Sequence, residues 1–339
     1  MSSGRTNPTI GTRADGGARQ LYRRWLDHTV FGASFIGVLA MIAILLIVFA
    51  VLIHGAWMAL TKIGWHFFAT QAWNPVTDQY GVLAFMYGTG LTTFIALLFG
   101  VPASIGVAIF ITRMAPPFLA GPVSFLIEVL AAIPSVAYGL WGAFVMSPWL
   151  QNYGENWLYH VLRHVKLIRV GKYPNNHYAW FPANLVHGGP SGSDFLAGGL
   201  ILAIMIVPII TAITRDVLLQ FPTELENGAR GLGATWWQTT RLAINYCRIG
   251  IFGAVILGMA RAIGETMAVI MVIGNTDQVR ASLFAGGQTM SGVLANEFLE
   301  ADHPIYLSAM FYVALVLMVS TLVTNMLART LLSGINRRN

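Results

Sequence analysis

Six long apolar runs constrain what this 339-residue chain can fold into more than any other feature of its sequence. Each run is long enough for a helix to cross the roughly 30 Å hydrocarbon core of a bilayer, where a helix satisfies its own backbone hydrogen bonds. Charged residues make up 10% of the chain, against roughly 25% in soluble domains. The sequence therefore predicts an all-α polytopic membrane protein with six transmembrane helices at 31–53, 81–112, 123–149, 195–214, 249–273 and 305–328.

The distribution of Lys and Arg predicts the orientation of these helices, because cytoplasmic loops carry an excess of basic residues. With the N- and C-termini cytoplasmic, the inner segments hold thirteen Lys and Arg and the outer segments hold six. The main membrane domain, 81–332, contains an outer insertion at 150–194 and a cytoplasmic loop at 215–248. It is flanked by a disordered basic cytoplasmic tail at 1–29, a first helix with its outer loop at 30–80, and a cytoplasmic tail at 333–339.

Glu128, Arg261 and Glu265 are the three acidic or basic side chains within the six predicted helices. A charge at mid-bilayer costs at least roughly 2.5–3.5 kcal/mol, so such residues face a bundle interior or a wet cavity. Arg261 and Glu265 are four residues apart, which predicts one shared helix face. They form either an intrahelical ion pair that eases insertion, or a substrate pathway in which Arg261 binds an oxyanion and Glu265 partly neutralises the guanidinium. Glu128 is either a second partner there or a satisfied polar residue near the cytoplasmic end of its helix.

Another face of the fifth predicted helix carries small residues at intervals of four: Gly250, Ala254, Gly258 and Ala262. Small side chains at this spacing let two membrane helices approach closely. The pattern predicts tight packing on another helix, which belongs either to this chain or to a partner.

Residues 221–248 form a polar segment that is too long for a simple turn between membrane helices. Thr223-x-x-Glu226 and Thr235-x-x-Gln238 are both capping-box patterns, and Gly231–Leu232–Gly233 separates them. The segment is predicted to be two short helices around a glycine break. A short amphipathic helix of this kind can dock in a groove of a soluble partner; the alternative is a solvated loop.

The outer insertion at 150–194 is predicted to contain a short interfacial helix, because apolar residues recur at helical spacing between Trp157 and Val165. His160 and His164 are four residues apart, a spacing that two metal ligands can share. Acidic and Cys ligands do not accompany them, so an interfacial helix is favoured and no metal site is predicted. Cys247 is the single cysteine and is interpreted as a small packing residue.

Several function classes fit this sequence poorly. A phosphate-binding loop needs Lys followed by Ser or Thr, and none of the three lysines meets that requirement. ATP hydrolysis is therefore not predicted for this chain. A membrane enzyme would need clustered titratable residues, which three scattered charges do not supply, so neither catalysis nor a cofactor is predicted. The basic residues are not gathered in one patch, which disfavours a nucleic-acid partner. A secondary transporter is the alternative transport class, although the internal repeat that is typical of such folds is not evident.

Four stretches resemble the PstC-type phosphate permeases of type-I ABC importers. They are MYGTGLTTFIALLFGVPASIGVAIF (86–110), FLIEVLAAIPSVAYGLWG (125–142), GMARAIGETMAVIMVIGN (258–275), and a loop similar to the family's cytoplasmic EAA loop, which contacts the ATPase. The resemblance covers about residues 80–329 and implies the six-helix type-I permease fold. It also implies a multi-pass protein of the bacterial cytoplasmic (inner) membrane, in contact with membrane lipid. The implied partners are a PstA-like sister permease, a PstB-like ATPase dimer and a PstS-like periplasmic phosphate-binding protein.

The resemblance also assigns roles residue by residue. The family's Arg and Glu, which are tied to phosphate passage, fall on Arg261 and Glu265. Its loop Glu falls on Asn227, and the Leu-Pro that follows falls on Ile244–Asn245, so this chain departs from the pattern at both places. The expected substrate is inorganic phosphate; on charge alone, molybdate or sulfate would fit equally well. The expected ATPase coupling loop consists of Glu224, Glu226, Asn227, Gly228, Ala229, Gly231, Gly233, Ala234 and Thr235.

Overall fold

The computed structural model describes residues 14–162, 164, 166–172, 178–182 and 189–336, with side chains described for 30–162, 164 and 189–330. The chain divides into two compact units, Met1–His54 and Gly55–Asn339. The first unit holds most of α1, which begins at Ala14. Residues 14–29 are therefore helical, which corrects the predicted disordered tail, whereas residues 1–13 lie outside the described residues. Extending an existing helix by a turn is far easier than nucleating one.

Helices account for most of the second unit, and three stretches are π-helical: Phe110–Met114, Gly142–Met146 and Leu150–Glu155. A single 3-10 turn among the described residues spans Phe298–Glu300. The α-helices are α1 (Ala14–Lys62), α2 (His66–Ala69), α3 (Leu83–Ile109), α4 (Pro117–Ala132), α5 (Ser135–Trp141), α6 (Ser147–Trp149), α7 (Asn156–Leu162), α8 (Phe195–Leu219), α9 (Thr223–Gly231), α10 (Trp236–Tyr246), α11 (Arg248–Gly264), α12 (Met267–Ile270), α13 (Met290–Glu297) and α14 (Pro304–Asn336).

Two short antiparallel hairpins interrupt the helical fold. In the first, β1 (Trp73–Asn74) pairs with β2 (Gln79–Tyr80). In the second, β3 (Lys166–Lys172) pairs with β4 (Tyr178–Pro182), with Arg169 opposite Trp180. The described part of the predicted interfacial helix is Asn156–Leu162, while Val165 lies outside the described residues, and the insertion is not all-α. β-Branched residues in β3 and aromatic residues in β4 favour strand pairing over a helix.

Four of the described helices are long and apolar enough to cross a membrane, and two bent helix pairs raise the possible number of spans to six. The unbroken four are Val30–Lys62, Leu83–Met114, Phe195–Leu219 and Pro304–Thr330. The bent pairs are Pro117–Ala132 with Ser135–Leu162, at 95°, and Trp236–Tyr246 with Arg248–Gly264, at 65°. The count of six agrees with the prediction, but the second pair joins α10 to the fifth run, which itself stops at Gly264 and resumes as α12. Two runs are not single straight helices, however, and both of these carry predicted pathway residues.

The third run, 123–149, bends by 95° between α4 and the helical stretch that starts at Ser135. Ile133 and Pro134 at the bend both have extended backbone, with ψ of 131° and 140°. Proline lacks the N–H that would continue the helix and pushes the preceding residue out of helical geometry. The prediction of one continuous third helix is therefore wrong at Pro134.

Helix α8 lies at the centre of the second unit, with α3 and α11 packed along it. Its side chains Ile201, Leu202, Ile206 and Ile210 are almost fully buried. Close approach to α3 depends on Gly199, because a Cβ there would lie 2.4 Å from Ile95. The core therefore gathers around one apolar helix whose neighbours come close at small residues.

Candidate functional site

Arg261 and Glu265 lie on either side of the point where the fifth span breaks. Arg261 is exposed in the last turn of α11, which ends at Gly264. Glu265 follows with extended backbone, φ −73° and ψ 134°, and its residue is 9% exposed. Among the described residues, no ion pair joins the two side chains. The prediction that one continuous helix places both charges on a shared face is therefore wrong, because the helix stops between them.

Polar side chains stabilise this break by bonding to backbone oxygens that the helix end leaves free. The last carbonyls of any helix lack partners within the helix. Ser291 at the start of α13 donates its hydroxyl to the Glu265 carbonyl at 2.7 Å. Thr289 caps α13 by accepting from the Gly292 N–H at 3.1 Å, and the Met290 N–H donates to Thr89 on α3 at 3.0 Å. Helix α13 is thereby seated against α3 with Ser291 aimed at the break.

The second broken span meets the first one here. The Tyr138 hydroxyl on α5 donates to the Leu130 carbonyl on α4 at 2.8 Å, which bridges the bend at Pro134. Tyr138 also lies within electrostatic reach of the Arg261 guanidinium. A Cβ at Gly139 would lie 3.0 Å from the Ala268 Cα, so α5 and α12 are in close contact. Irregular backbone at membrane depth is tolerated where protein buries it or where it lines a wet cavity.

Glu128 is not part of this cluster in the structure. It lies on α4, and its carboxylate accepts from Arg215 on α8 at 3.2 Å. Arg215 also binds Asp216 at 2.9 Å. The interpretation that Glu128 pairs with Arg261 is therefore wrong. The other interpretation, a polar residue satisfied by a different partner, matches the contact with Arg215.

The small residues of α11 face α8 of the same chain. A Cβ on Gly258 would lie 2.6 Å from Ile210, and one on Gly250 would lie 2.6 Å from Val217. Ala254 and Ala262 are 1% and 3% exposed. The packing partner of this face is therefore an internal helix, which leaves a different face of α11 to carry Arg261.

The α9–α10 segment (residues 221–248) consists of two helices around a glycine turn. Thr235 caps α10, and its capping box with Gln238 has both hydrogen bonds, so that prediction is confirmed. The predicted capping box at Thr223 is wrong, because α9 begins after Pro222 without a side-chain cap. Gly233 has φ +84°, a conformation that suits glycine, and it follows the end of α9.

Most of the predicted coupling residues are exposed on this segment. Glu224, Asn227, Gly228 and Gly231 are all exposed. Ala229 lies in the last turn of α9, and its carbonyl accepts from the Ala234 N–H at 3.0 Å.

Glu226 is the exception, because its carboxylate turns toward its own chain. It forms ion pairs with Arg113 and with Arg230, the latter at 2.6 Å. Arg113 follows α3, and its guanidinium also lies over the Phe221 ring at 5.3 Å from the centroid. The Trp236 indole N–H donates to the Arg113 carbonyl at 3.4 Å.

A buried carboxyl pair lies in the predicted outer insertion. Glu155 and Asp194 are both fully buried. Two backbone N–H groups, from Ser191 and Gly192, donate to Glu155 at 2.8 and 2.9 Å, while Asp194 caps α8 by accepting from Ala197 at 2.9 Å. Burial first, and then the neighbouring Glu155 carboxylate, raise the pKa of Asp194 to about 7. Asp194 therefore holds a proton at acidic and near-neutral pH.

A polar cleft of about 640 Å³ lies between the β1–β2 hairpin and residues 276–280. Burial, and then Glu297, raise the pKa of Asp277 at this cleft to about 6. Glu297 itself accepts from the Trp73 indole at 2.6 Å and the Tyr306 hydroxyl at 2.8 Å. These bonds hold the hairpin against α13 and α14.

Sequence reasoning missed Arg113, Tyr138 and Ser291 as members of these sites. Arg113 ends an apolar run, a position at which a basic residue is ordinarily a stop signal. Tyr138 lies in an apolar run and Ser291 lies in a predicted loop. Neither sequence context shows which residue would accept a hydrogen bond from these hydroxyls. One clue was available for Tyr138, because Pro134 within the run predicts freed carbonyls one turn earlier that need donors.

The broken spans, the central helix and the polar α9–α10 segment define a multi-pass membrane protein of the transport-permease class. A family model described as the inner membrane component of binding-protein-dependent transport systems matches residues 100–337. The chain belongs to this family, and it is one component of an ABC transport system with other subunits.

Relatives extend the similarity over most of the chain. A phosphate transport system permease protein PstC of Mesorhizobium japonicum is 41% identical over 85% of this chain and 84% of its own. The protein of the same name from Haemophilus influenzae is 37% identical over 92% and 96%. Among solved structures, a bacterial ABC transporter that imports the acidic polysaccharide alginate is similar at TM-score 0.53 and 17% identity, over 92% of this chain and 98% of its own. That likeness supports the fold.

Proposed function

We propose that this chain is the permease subunit of an ATP-driven importer that moves inorganic phosphate across the bacterial cytoplasmic membrane, with both termini in the cytoplasm. The observation that carries the proposal is the similarity to phosphate transport permeases along most of both chains. The substrate follows from that similarity, because a guanidinium binds any tetrahedral oxyanion well.

The placement of Arg261 supports a pathway. It is exposed on α11 of the single chain, at a break within a membrane span. An arginine that faced lipid at that depth would cost at least roughly 2.5–3.5 kcal/mol. We therefore expect this face to meet water or a second permease subunit. Glu265 lies beside the guanidinium in sequence but points into the protein, so the charge of Arg261 remains available to an anion.

The α9–α10 segment supports contact with an ATPase. Leu232 and Trp237 are 92% and 59% exposed, and Leu225 is also exposed. Exposed apolar side chains on a polar helix pair are typical of a docking surface. Since the chain lacks a phosphate-binding loop motif, the proposed complex contains a separate ATPase dimer. The similarity to phosphate transport permeases adds a sister permease and a periplasmic phosphate-binding protein to the proposal.

Crosslinking in isolated membranes tests this contact. Single cysteines introduced at exposed positions within 224–235 should crosslink to the ATPase. A Cys247→Ala background removes the native thiol, which is buried. Failure of every position to crosslink would remove the coupling role of this segment.

Substrate uptake by the reconstituted complex tests the transport function itself. Labelled phosphate, sulfate and molybdate are supplied to proteoliposomes with ATP, with and without the binding protein. We expect ATP-dependent uptake of phosphate that requires the binding protein. Uptake of molybdate or sulfate in place of phosphate would support the alternative oxyanion, and uptake without ATP or the binding protein would support a secondary transporter.

A further inference from the structure

We propose that Arg113 is a positioning residue that clamps α9 to the end of α3, so that movement of the α9–α10 segment is transmitted to the membrane helices. The inference rests on the proposed transport function and names the internal link through which ATP-driven movement would reach the pathway. In this proposal Glu226 makes a contact within its own chain. Its position beside Asn227 would instead have suggested that it contacts the ATPase.

The contact is largely shielded from water. The side chains of Arg113 and Glu226 are 12% and 18% exposed, whereas that of Arg230, the other partner of Glu226, is 56% exposed. Exposed ion pairs one helical turn apart contribute little, because water screens them. Removing Glu226 would leave the shielded Arg113 without an ion-pair partner among the described residues, and removing Arg113 would leave Glu226 with the exposed Arg230 alone. The Arg113 contact is therefore the one that holds α9 in place.

Arg113 makes three kinds of contact with the segment at once. Its guanidinium binds Glu226 and lies over the Phe221 ring, and its carbonyl accepts from the Trp236 indole. An arginine can serve the first two together because its planar guanidinium binds carboxylates and stacks on aromatic rings. These contacts reach α9, the chain before it and the start of α10.

The backbone that carries Arg113 leads into the membrane core. Helix α3 continues into a π-helical turn from Phe110 to Met114, and π-helical turns often occur at functional positions. Beneath it, Ala108 of α3 packs in a buried cluster with Leu218 at the end of α8 and Ile251 of α11. A displacement of α9 that is carried by Arg113 therefore acts at the junction of three membrane helices, one of which carries Arg261.

The test uses the complete complex in liposomes and measures phosphate taken up per ATP hydrolysed. We expect Arg113→Gln to lower this ratio about tenfold, a typical coupling effect, while ATP hydrolysis continues. Glu226→Gln should lower the ratio at least as far, because it also removes the Arg230 ion pair. Adding Arg113→Gln to Glu226→Gln should cause no further loss, since the Arg113–Glu226 interaction is already absent. Arg113→Lys should restore part of the ratio, because it keeps the charge but loses the planar fork. Arg230→Gln should cause a smaller loss.

Distance measurements give a second readout that does not depend on uptake. Spin labels on Met114 and Asn227, both exposed, should keep one narrow distance in the wild-type complex with and without ATP. In Arg113→Gln that distance should broaden. A wild-type ratio in Arg113→Gln, an equal loss in Arg230→Gln, or an unchanged distance distribution would overturn the inference. If the wild-type complex imported no phosphate, the proposed function would be refuted. The distance measurement would still test whether Arg113 holds α9 in place.

Discussion

Two arginine–glutamate combinations behave in opposite ways in this protein. Arg261 and Glu265 are four residues apart in sequence, yet they do not form an ion pair in the described structure, because α11 ends between them. Arg113 and Glu226 are 113 residues apart, yet they are in contact. The first combination leaves Arg261 exposed at the end of α11, where we propose that an anion reaches it. The second uses its charges to hold two parts of the same chain together. Proximity in sequence therefore says little about which charges are available for function.

The largest expected effect would come from neutralising Arg261, which has no ion-pair partner among the described residues. Arg261→Gln should lower phosphate uptake at least about 100-fold, because charge-assisted hydrogen bonds to the passing anion are lost. The complex should still assemble, which size-exclusion chromatography would check alongside labelled uptake.

Arg280→Gln is the matched control for Arg261→Gln. Arg280 is exposed and bonds locally to Gln278 at 2.7 Å, so its loss should leave uptake near the wild-type rate. Normal uptake by Arg261→Gln would contradict the pathway role.

A second prediction concerns the close approach that seats α13 beside the break. A Cβ on Gly88 would lie 2.1 Å from the Gln288 backbone oxygen, whereas a Cβ on Gly90 would meet nothing within 4 Å. Gly88→Ala should therefore destabilise the protein by about 3 kcal/mol through overpacking. It should also impair uptake, since Ser291 would no longer reach Glu265.

Gly90→Ala in the same helix is the control, with an expected gain of up to about 1 kcal/mol from helix propensity. Thermal unfolding of both variants in detergent measures the difference. Equal stabilities would mean that α13 is not held against α3 in this way.

The third prediction extends the comparison to two like charges that the fold brings together, Glu155 and Asp194. The pKa of Asp194 is about 7 in the folded protein, against about 3.9 in an unfolded chain. Between these values the folded state holds a proton that the unfolded state has lost, so stability falls as pH rises from about 4 to 7. A shift of about three pKa units corresponds to a loss of at most about 4 kcal/mol. The Asp194→Asn variant should lose most of the dependence of the melting temperature on pH. An unchanged dependence would contradict the raised pKa of Asp194.

The smallest expected effect concerns the caps of the α9–α10 segment. Thr235 makes a complete capping box and Thr223 does not cap α9. Thr235→Ala should therefore cost about 1 kcal/mol of local stability, while Thr223→Ala should cost much less. Hydrogen exchange of the α10 amides measures this difference. Equal protection in the two variants would show that the box does not stabilise α10.

Much of the fold was predictable from patterns that are local in sequence. The six apolar runs, the helix–glycine–helix order of the α9–α10 segment and the small-residue face of α11 each occupy one stretch of chain. The candidate site was predictable to the extent that Arg261 and Glu265 could be singled out as membrane charges. Their geometry was not, because i, i+4 spacing predicts neighbours only when the helix continues, and α11 stops at Gly264.

The sequence by itself determined which segments are apolar enough to enter a membrane and which few charges go with them. It could do so because the free energy of transfer into the bilayer is set largely residue by residue. The tertiary structure decided where two of those segments break and which charges pair. A break needs distant donors for its freed carbonyls: Ser291 is 26 residues from Glu265, and Tyr138 is 8 residues from Leu130 across Pro134. Ser291 reaches Glu265 once α13 is packed on α3, where the Met290 N–H donates to Thr89.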